Sequence, residues 1–372
     1  MSEEEWTMRR DVFEELEDFF PDAISKGLSF YVYKYGNSRR LNTAASFYPR
    51  SGLSRGFVIG SFDGDPRHTI TIPKDIKALD FGSVRYIKVE GFNGDTPFYP
   101  FPKRSTTRDE HIANVKAAVK ALEGHPDRKI VMARTLVAET PDRDNFENLA
   151  LMYRNLCLTY PDAYTFIYYT PYTGVYIGAT PELLCASDDY NKEFFAMSLA
   201  GTRKAGTAEE WSEKDRREQQ IVTDYLLDIM SSRFGEAHAN TAETAKAGNI
   251  EHLRTWVLTP KPKSFRYADL REFIGELSPT PALCGLPKEN AIRFIKDHEH
   301  FERGYYGGYL GETTSGKGFS LRVNLRSARV ERHRIAYFAG GGITEQSDPE
   351  KEWRETEMKI ATLREVIEKG KS

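Results

Sequence analysis

The stretch FSLRVNLRSARVERHRIAYFAGGGITEQSDPEKEWRETEMK, residues 319–359, carries the clearest information about the fold. In its first part, 319–340, hydrophobic and polar residues alternate, which is the side-chain period of β-strands, and we predict a hairpin there. Glycines 340–342 follow. Asp348 and Pro349 then have the residue types of a helix N-cap and first helical position, followed by acids in the first turn. Strand, glycine run and helix are therefore predicted in direct succession.

The remainder of the chain mixes strand and helix patterns without a regular βαβ rhythm. Residues 1–125 are punctuated by Gly, Pro and Asp, which favours short strands and loops. Helices are predicted over 108–125 and 207–234 from apolar spacings of three and four. Segment 129–138, rich in β-branched residues, and several segments of 165–202 read as strands. Many strands with long helices between them indicate an α+β protein.

Composition excludes several classes of protein. The 372 residues are enough for one large domain or two smaller ones, and 40% hydrophobic with 29% charged residues is typical of a soluble globular chain. A net charge of −3 and dispersed basic residues give no support for nucleic acid or membrane binding. Three widely spaced cysteines, no leader-like N-terminus and no apolar run of about 20 residues predict a cytoplasmic protein. No obligatory protein partner is expected.

Two pairs of acids recur at helical spacing. Asp215 and Glu218 are three residues apart on one predicted helix, and Glu352 and Glu355 have the same spacing on another. Facing pairs of carboxylates would suit Mg²⁺, which takes one or two carboxylates together with water and substrate oxygens. The alternative is two solvated helix faces in a chain with 55 acidic residues. Spacing alone does not place two helices side by side.

Three further features have both a functional and a structural interpretation. Glycines 340–342 can bring the backbone close to an anion, or can form a tight turn. Arg326 can bind a carboxylate through two parallel hydrogen bonds, or can lie in water. His252 can contact a ligand, or can be a hydrogen-bonded core histidine. The residues alone leave these alternatives open.

Nine sequence blocks, read in order, resemble the chorismate-utilising enzymes. This family includes isochorismate synthases, salicylate synthases and the large subunits of anthranilate and aminodeoxychorismate synthases. The resemblance predicts one enzyme domain over 1–372, in which 126–368 carries the matching pattern and 1–125 is the variable part. The blocks are KIVMAR (129–134), IGATPELL (177–184), LAGTRKAG (199–206), EKDRREQQIV (213–222), HLRT (252–255), LSPTPALCGLPKENA (277–291), ERGYYGGYLG (302–311), LRSARV (325–330) and AGGGITEQSDPEKEWRETEMK (339–359).

The resemblance implies a single large α+β domain with two antiparallel β-sheets, flanking helices and an active site in the cleft between the sheets. It also implies that the two acidic helices converge on Mg²⁺. Glu218 and Glu355 match the metal-binding carboxylates, and Asp215 and Glu352 match the accompanying acids. Lys359 matches a lysine on the substrate side of the site.

The implied substrate is chorismate, a dianion whose ring carboxylate binds the metal. Its other groups need partners from the protein: a cation for the second carboxylate, hydroxyl and backbone donors, and residues lining the cleft. The matching residues are Arg326 for the carboxylate, Tyr306 as hydroxyl donor, Gly341 and Gly342 as backbone donors, His252 near the leaving hydroxyl, and Gly201 in the cleft wall.

Lys129 and Glu182 match the catalytic pair of the water-using members of the family. Lys129 would act as the base that activates water for attack at ring carbon C2, which requires its deprotonation by burial or by a nearby cation such as Arg134 or Mg²⁺. Glu182 would protonate the departing C4 hydroxyl, so its pKa should be raised. Without the resemblance, Lys129 reads as a solvent-facing lysine at a strand end, and Glu182 as part of a turn after Pro181.

The same features favour one member of the family. Ammonia-using enzymes typically lack the lysine at position 129, and Ala282 and Leu283 would form an apolar wall that disfavours pyruvate loss to salicylate. We therefore predict a reversible, magnesium-dependent isochorismate synthase, serving menaquinone or siderophore biosynthesis. The alternatives are a salicylate synthase, an aminating chorismate enzyme or a non-catalytic binding protein. Gln219 departs from the usual histidine beside the metal-binding glutamate.

Overall fold

The computed structural model describes residues 3–36, 38, 40–75, 98–188, 192–247, 250–263, 265–314 and 318–370. Residues 76–97 of the predicted N-terminal part lie outside these ranges. None of the described helices is long and apolar enough to span a bilayer.

Helices and strands alternate irregularly along the described chain. The helices are α1 (Glu3–Ser25), α2 (Arg108–Leu122), α3 (Leu149–Thr159), α4 (Glu213–Phe234), α5 (Tyr267–Leu277), α6 (Lys288–His298) and α7 (Pro349–Glu368). The strands are β1 (Ser29–Lys34), β2 (Asn42–Ser46), β3 (Arg50–Ser51), β4 (Gly56–Gly60), β5 (Ile70–Ile72), β6 (Lys129–Glu139), β7 (Tyr164–Thr170), β8 (Gly174–Thr180), β9 (Leu183–Asp188), β10 (Glu193–Lys204), β11 (His238–Ala239), β12 (Glu243–Ala247), β13 (Ile250–Pro260), β14 (Gly285–Leu286), β15 (Tyr309–Thr313), β16 (Phe319–Val323), β17 (Ser327–Glu331) and β18 (Arg334–Ile343).

The strands form two antiparallel sheets, which confirms the predicted α+β fold. Within the described residues, the first sheet has eight strands in the order β14-β6-β18-β17-β8-β7-β1-β2. The second has ten, in the order β11-β13-β10-β9-β16-β15-β4-β5-β3, with β12 paired to β13. Helix α7 packs on β18 of the first sheet, and α4 packs on β10 and β13 of the second. The two acidic helices therefore belong to different sheets.

Local capping explains where the predicted helices begin. Thr107 and Glu110 form a capping box at α2, which begins at Arg108 as predicted and ends at Leu122, three residues before the predicted end. Asp348 caps α7 by accepting a hydrogen bond from the Lys351 amide, again as predicted. The long helix starts at 213 and not at 207, because the Ser212 hydroxyl accepts from the Asp215 amide and thereby sets its first turn.

The first helix was not predicted, since residues 1–125 were expected to form strands and loops. The turn-forming residues that suggested loops begin only after α1 has ended. Within α1, apolar residues recur at helical spacing and are buried in one core cluster; they are Phe13, Leu16, Phe19, Phe20 and Ala23. The amphipathic pattern therefore outweighs the composition of the segment that follows.

The hairpin predicted over 319–340 is correct only in its second half. Strands β17 and β18 pair, with Ala328 opposite Tyr337, whereas β16 pairs with β9 and β15 in the other sheet. The chain therefore crosses from the second sheet to the first between Val323 and Ser327. Strand alternation continues through both segments, so the pattern gives no sign of the crossing.

A second crossing lies beside the first. Strand β8 belongs to the first sheet and β9 to the second, and Glu182 is in the link between them. The Val323 amide donates to the Glu182 carbonyl at 3.1 Å, and the Ala179 amide donates to the Arg326 carbonyl at 3.0 Å. These bonds fix Glu182 and Arg326 next to each other where the two sheets meet.

A buried ion pair supports the same region from behind. Glu299 and Arg303 are 1% and 3% exposed and hydrogen bond to each other. The Arg303 guanidinium also donates to the carbonyls of Leu283 at 2.8 Å and Val131 at 2.7 Å, while Glu299 accepts from the Ala133 amide at 2.7 Å. One ion pair thus connects α6, β6 and the segment before β14.

Replacing Arg303 with methionine should destabilise the fold strongly. The change would leave the Glu299 carboxylate buried without its counter-ion and two carbonyls without their donor, at a cost of about 3–5 kcal/mol. Urea denaturation would measure this loss. Arg364→Met is the matched control, because Arg364 pairs with Glu368 on the exposed side of α7, where loss of an ion pair costs about 1 kcal/mol or less. Equal effects for the two variants would contradict this account of the buried pair.

Candidate active site

A cavity of about 110 Å³ lies where the two crossings meet α4, α7 and the end of β18. Twelve of the fifteen predicted site residues line it, from both sheets and from both acidic helices. They are Glu182, Gly201, Asp215, Glu218, His252, Ala282, Leu283, Tyr306, Arg326, Gly342, Glu355 and Lys359. The structure thus brings together residues that are up to 177 positions apart, counting from Glu182 to Lys359.

The other three predicted residues lie directly behind the cavity wall. Lys129 is fully buried, and its Nζ donates to Glu218 Oε1 at 2.9 Å. Glu352 is 3% exposed and accepts from Lys214 Nζ at 2.7 Å. Gly341 lies against Glu352, because a Cβ at position 341 would be 2.8 Å from Glu352 Oε2. Lys129 is therefore not the solvent-facing lysine of the alternative interpretation.

The glycine run is part of strand β18 and does not form a tight turn. Its lack of side chains leaves room for carboxylates: a Cβ on Gly342 would overlap Glu218 Oε1 and lie 3.1 Å from Lys129 Nζ. By contrast, the nearest atom to a Cβ on Gly340 is the Met132 carbonyl oxygen, at 3.3 Å. The predicted role of Gly341 and Gly342 as backbone donors to substrate stays a prediction.

Three carboxylates of the cluster are each paired with a lysine. The pairs are Glu218 with Lys129 at 2.9 Å, Glu352 with Lys214 at 2.7 Å and Glu355 with Lys359 at 2.6 Å. These acids do not form solvated helix faces, so that alternative is wrong. Buried charges of one sign need counter-ions, and here lysines from β6, α4 and α7 supply them.

The environment shifts the two α7 carboxyls in opposite directions. Burial raises the pKa of Glu352, against the opposing charge of Lys214. Burial also acts to raise the pKa of Glu355, but the charge and hydrogen bond of Lys359 outweigh it and leave the pKa below its ordinary value. Glu355 is therefore held as a carboxylate on the cavity wall.

The chemistry of these side chains fits a magnesium ion. Glu218, Glu355 and Asp215 line one cavity, and carboxylate oxygens with added water are the ligands that Mg²⁺ prefers. Among the described residues no three such side chains are close enough together to form a complete metal site. Two carboxylates are sufficient where water and substrate supply the other oxygens, so the donor set remains compatible with the ion.

Lys214 is a cavity residue that the sequence did not single out. It lines the cavity, and although burial disfavours its charge, Glu352 and Glu218 outweigh that effect and raise its pKa. A signal was available, because Lys214 lies four residues before Glu218 and thus on the same face of α4. Arg303 and Phe338 also line the cavity and were not singled out.

Glu182 has the properties expected of a general acid. Its side chain is 4% exposed, and burial raises its pKa to about 8, although the charges of Lys129 and Arg326 oppose the shift. The carboxyl is therefore protonated at neutral pH. The predicted direction of this shift agrees with the structure, and Glu182 belongs to the inter-sheet link and not to an exposed turn.

Arg326 and His252 are in contact on the cavity wall. The His252 ring donates from Nδ1 to the Gly201 carbonyl at 2.7 Å, because a carbonyl can only accept, and its Nε2 faces Arg326 Nη2 at 3.3 Å. Burial and the adjacent arginine lower the pKa of His252 to about 3, so the ring is neutral. Arg326 has φ +48°, a left-handed conformation that non-glycine residues adopt at an energetic cost.

Aromatic and aliphatic side chains close the remaining wall. Tyr306 stacks on Phe338 with ring centroids 4.9 Å apart, and burial raises the pKa of Tyr306 to about 12, which keeps its hydroxyl protonated and able to donate. Ala282 and Leu283 line the cavity as predicted. The Leu283 backbone is held by Arg303.

Gln219, the departure from the usual histidine, points away from the cavity. Its amide nitrogen donates to Thr255 at 2.6 Å and to Thr223 at 3.0 Å, within a buried polar group of α4 and β13. The substitution therefore leaves the carboxylate of Glu218 in place.

Comparison with known families agrees with this geometry. Residues 93–368 match the family described as chorismate binding enzyme. The chain belongs to this family. The match begins earlier than the resemblance identified from Lys129 onward, so the family pattern includes part of the segment taken as variable.

Named relatives and solved structures are similar over most of the chain. The isochorismate synthase EntC of Escherichia coli K12 is 26% identical over 330 residues, covering 85% of this chain and 82% of EntC. The isochorismate synthase MenF of the same organism is 28% identical, and the match covers 71% of this chain and 63% of MenF. The structure of E. coli MenF, a menaquinone-specific isochorismate synthase, superposes with a TM-score of 0.70 at 19% identity, covering 91% and 88%. The structure of anthranilate synthase component I of Streptococcus pneumoniae superposes with a TM-score of 0.61 at 17% identity, covering 90% of this chain and 92% of that protein.

The raised pKa of Glu182 predicts a pH-dependent stability. The folded-state pKa of about 8 lies above the ordinary 4.5, so the folded protein holds this proton more tightly than the unfolded chain. The resulting contribution is fully present below the ordinary value and is lost as the pH rises through about 8. Glu182→Gln, which stays neutral, should lack it.

Urea denaturation of the wild type and Glu182→Gln between about pH 5 and pH 9 would test this prediction. We expect the free energy of unfolding of the wild type to fall relative to the variant as the pH rises. A difference between the two proteins that is constant across this range would contradict a buried, protonated Glu182.

Proposed function

We propose that the protein is an isochorismate synthase, which converts chorismate reversibly to isochorismate. The proposal rests mainly on one observation in a chorismate-binding enzyme: a buried carboxyl that is neutral at pH 7, Glu182, lines a cavity, and a buried lysine, Lys129, lies behind its wall in contact with the lining residue Glu218. Membership of the family makes chorismate the expected ligand. The relatives named isochorismate synthase support the choice of reaction.

The proposed reaction exchanges one hydroxyl position for another without a redox step. Lys129 removes a proton from water, whose oxygen attacks ring carbon C2. The ring double bond moves, the bond from C4 to its hydroxyl breaks, and Glu182 donates the proton with which that hydroxyl leaves as water. One water enters and one leaves, so the product is an isomer of the substrate.

The protonation states of the two residues bear on this assignment. Glu182 holds its proton at neutral pH, which a general acid requires. Lys129 Nζ is hydrogen bonded to Glu218 Oε1 at 2.9 Å. To accept a proton from water, Nζ must turn from Glu218 towards that water, so this contact must loosen during the reaction.

Glu218 and Glu355 would hold a magnesium ion, with Asp215 and Glu352 beside them. The bound ion would supply positive charge to the ring carboxylate of chorismate. Arg326 would bind the second carboxylate of chorismate. It lines the cavity beside His252, which is neutral and therefore does not offset the positive charge of the guanidinium. Tyr306 offers a protonated hydroxyl on the same wall.

Turnover with chorismate and Mg²⁺ provides the direct test. We expect isochorismate to accumulate, as separated by chromatography. Lys129→Ala and Glu182→Gln should each lower kcat by about 10²–10⁴-fold, the usual contribution of a general acid or base. Circular dichroism would verify folding, and Lys116→Ala, on the exposed side of α2, is the control for removing a lysine.

Other outcomes identify other members of the family. Accumulation of salicylate without an added lyase would make the protein a salicylate synthase and would remove the proposed effect of the Ala282–Leu283 wall. Turnover that requires ammonium would indicate an aminating enzyme. Wild-type rates in Lys129→Ala would overturn the mechanism.

Relatives named for menaquinone and for vibriobactin both match, so either pathway is compatible with the proposal, and we favour menaquinone.

The glycine run offers a separate test of the proposed metal site. Gly342→Ala places a methyl group against Glu218, whereas Gly340→Ala meets its nearest atom at 3.3 Å and serves as the matched control. Because displacing a metal-binding carboxylate or its support weakens affinity by about 10–100-fold, we expect that loss for Gly342→Ala and less than about threefold for Gly340→Ala. Titration with Mn²⁺, followed by electron paramagnetic resonance, measures binding without turnover. If Gly342→Ala bound Mn²⁺ with wild-type affinity, Glu218 would not be a metal ligand.

A further inference from the structure

A second cavity adjoins the active-site cavity and is the larger of the two. It has a volume of about 450 Å³, and five residues line both cavities: Pro181, Leu199, His252, Arg326 and Lys359. Its other walls come from the segment between α3 and β7, from β12 and β13, and from the second half of α7. The two cavities therefore share part of their walls.

The charges around the second cavity are mostly positive. Lys246, Arg254, Arg326 and Lys359 line it, and Asp162 is the acid among its lining residues. Arg254 is paired with Glu243 at 2.8 Å, and Lys359 with Glu355. For Arg326 and Lys246, the described part of the chain places no carboxylate oxygen within the 4.0 Å of an ion pair. Glu251, opposite Lys246 across β12 and β13, is instead paired with Arg203 at 3.0 Å.

The two cavities differ in volume. Sites for small organic molecules generally have volumes of about 300–1,000 Å³. The active-site cavity, at about 110 Å³, is below this range, whereas the second cavity, at about 450 Å³, lies within it. The second cavity therefore has room for a six-membered ring carrying two carboxylates.

We propose that the second cavity is an entrance chamber that captures small dicarboxylate anions through Lys246 and passes them to the active site through Arg326. The proposal rests on the proposed function for the identity of the anion. Arg326 can contact an anion in either cavity, because it lines both. Its backbone is fixed beside the β8–β9 link that contains Glu182. Lys246 is exposed at the outer part of the chamber, on β12.

This arrangement has a kinetic consequence. A cavity lined by one sign of charge raises the local concentration and association rate of an oppositely charged ligand, by about 10–10³-fold for a whole site. Dissolved salt screens the effect, since the Debye length falls from about 30 Å at 0.01 M to about 3 Å at 1 M ionic strength. Capture by Lys246 should therefore act on kcat/KM, and only at low salt.

The first test measures the potential in the chamber without any turnover. The native cysteines among the described residues are buried, so a cysteine introduced by Ala245→Cys can be labelled selectively. Its rates with a sulfonate-bearing and a trimethylammonium-bearing methanethiosulfonate reagent are compared with those of Ser231→Cys, an exposed site on α4 that lines neither cavity. We expect the anionic reagent to be favoured at position 245 by about tenfold relative to position 231, and adding Lys246→Gln to reduce this preference. Equal preferences at the two sites would overturn the proposal.

The second test uses chorismate turnover in the full protein. Lys246→Gln should lower kcat/KM by about threefold to tenfold at low ionic strength, leave kcat unchanged and match the wild type at about 0.5 M salt. Lys116→Gln, the same charge change on α2, should have no effect. Labelling Ala245→Cys with a bulky neutral reagent should lower kcat/KM, whereas labelled Ser231→Cys should keep it.

The results separate this proposal from the proposed function. A wild type that does not convert chorismate would refute the proposed function, and the labelling rates would still decide whether the chamber attracts anions. A wild type that is active, with the same salt dependence in Lys246→Gln, would refute the entrance chamber alone.

Discussion

The active site depends on the pairing of two chain crossings between the sheets. The links β8–β9 and β16–β17 leave one sheet and enter the other side by side, joined by backbone hydrogen bonds from Ala179 to Arg326 and from Val323 to Glu182. Backbone hydrogen bonds of this kind tolerate little movement, so the acid and the arginine have fixed relative positions. Every other part of the site is arranged around this point: α4 and β13 approach from the second sheet, and α7 and β18 from the first.

Charge balance is the second constraint on the cleft. Glu218, Glu352 and Glu355 would repel one another in a partly buried space, and three lysines from different elements neutralise them. A magnesium ion with charge +2 and chorismate with charge −2 together leave this balance unchanged, whereas either alone would disturb it. Under the proposed function, metal and substrate would bind together, and Glu218 and Glu355, now paired with Lys129 and Lys359, would hold the ion.

Sequence patterns predicted features that depend on neighbours along the chain. The cap at Asp348 and the strand beginning at Lys129 follow from local propensities, and the structure has them. Twelve of the fifteen residues that the family resemblance singled out line one cavity, while their individual roles stay predictions. The hairpin over 319–340 failed because alternation is identical whether a strand continues in its own sheet or crosses to another.

Interactions between distant segments could not be predicted in the same way. The link from Arg303 to Val131 and Leu283, and the pairing of Lys214 with Glu352 across 138 residues, depend on how α6, α4 and α7 pack. A further role of the glycine run was missed for the same reason. Gly342 was interpreted through its backbone, but the space that it leaves is filled by Glu218 from a helix whose position the sequence does not reveal.

The conformation of Arg326 connects the crossing with both cavities. A non-glycine residue at φ +48° is strained, and strain persists only where surrounding contacts over-determine the backbone. Here the Ala179 amide holds the Arg326 carbonyl in the first sheet, while Val323, three residues earlier, is held in the second. The turn between these anchors directs the guanidinium to the wall common to the two cavities, where His252 contacts it. A glycine at position 326 would adopt this conformation without strain. It would also lack the guanidinium, which is the charged group of the β16–β17 link that lines both cavities. The strain at Arg326 therefore accompanies the placement of a cation between the entrance chamber and the active site.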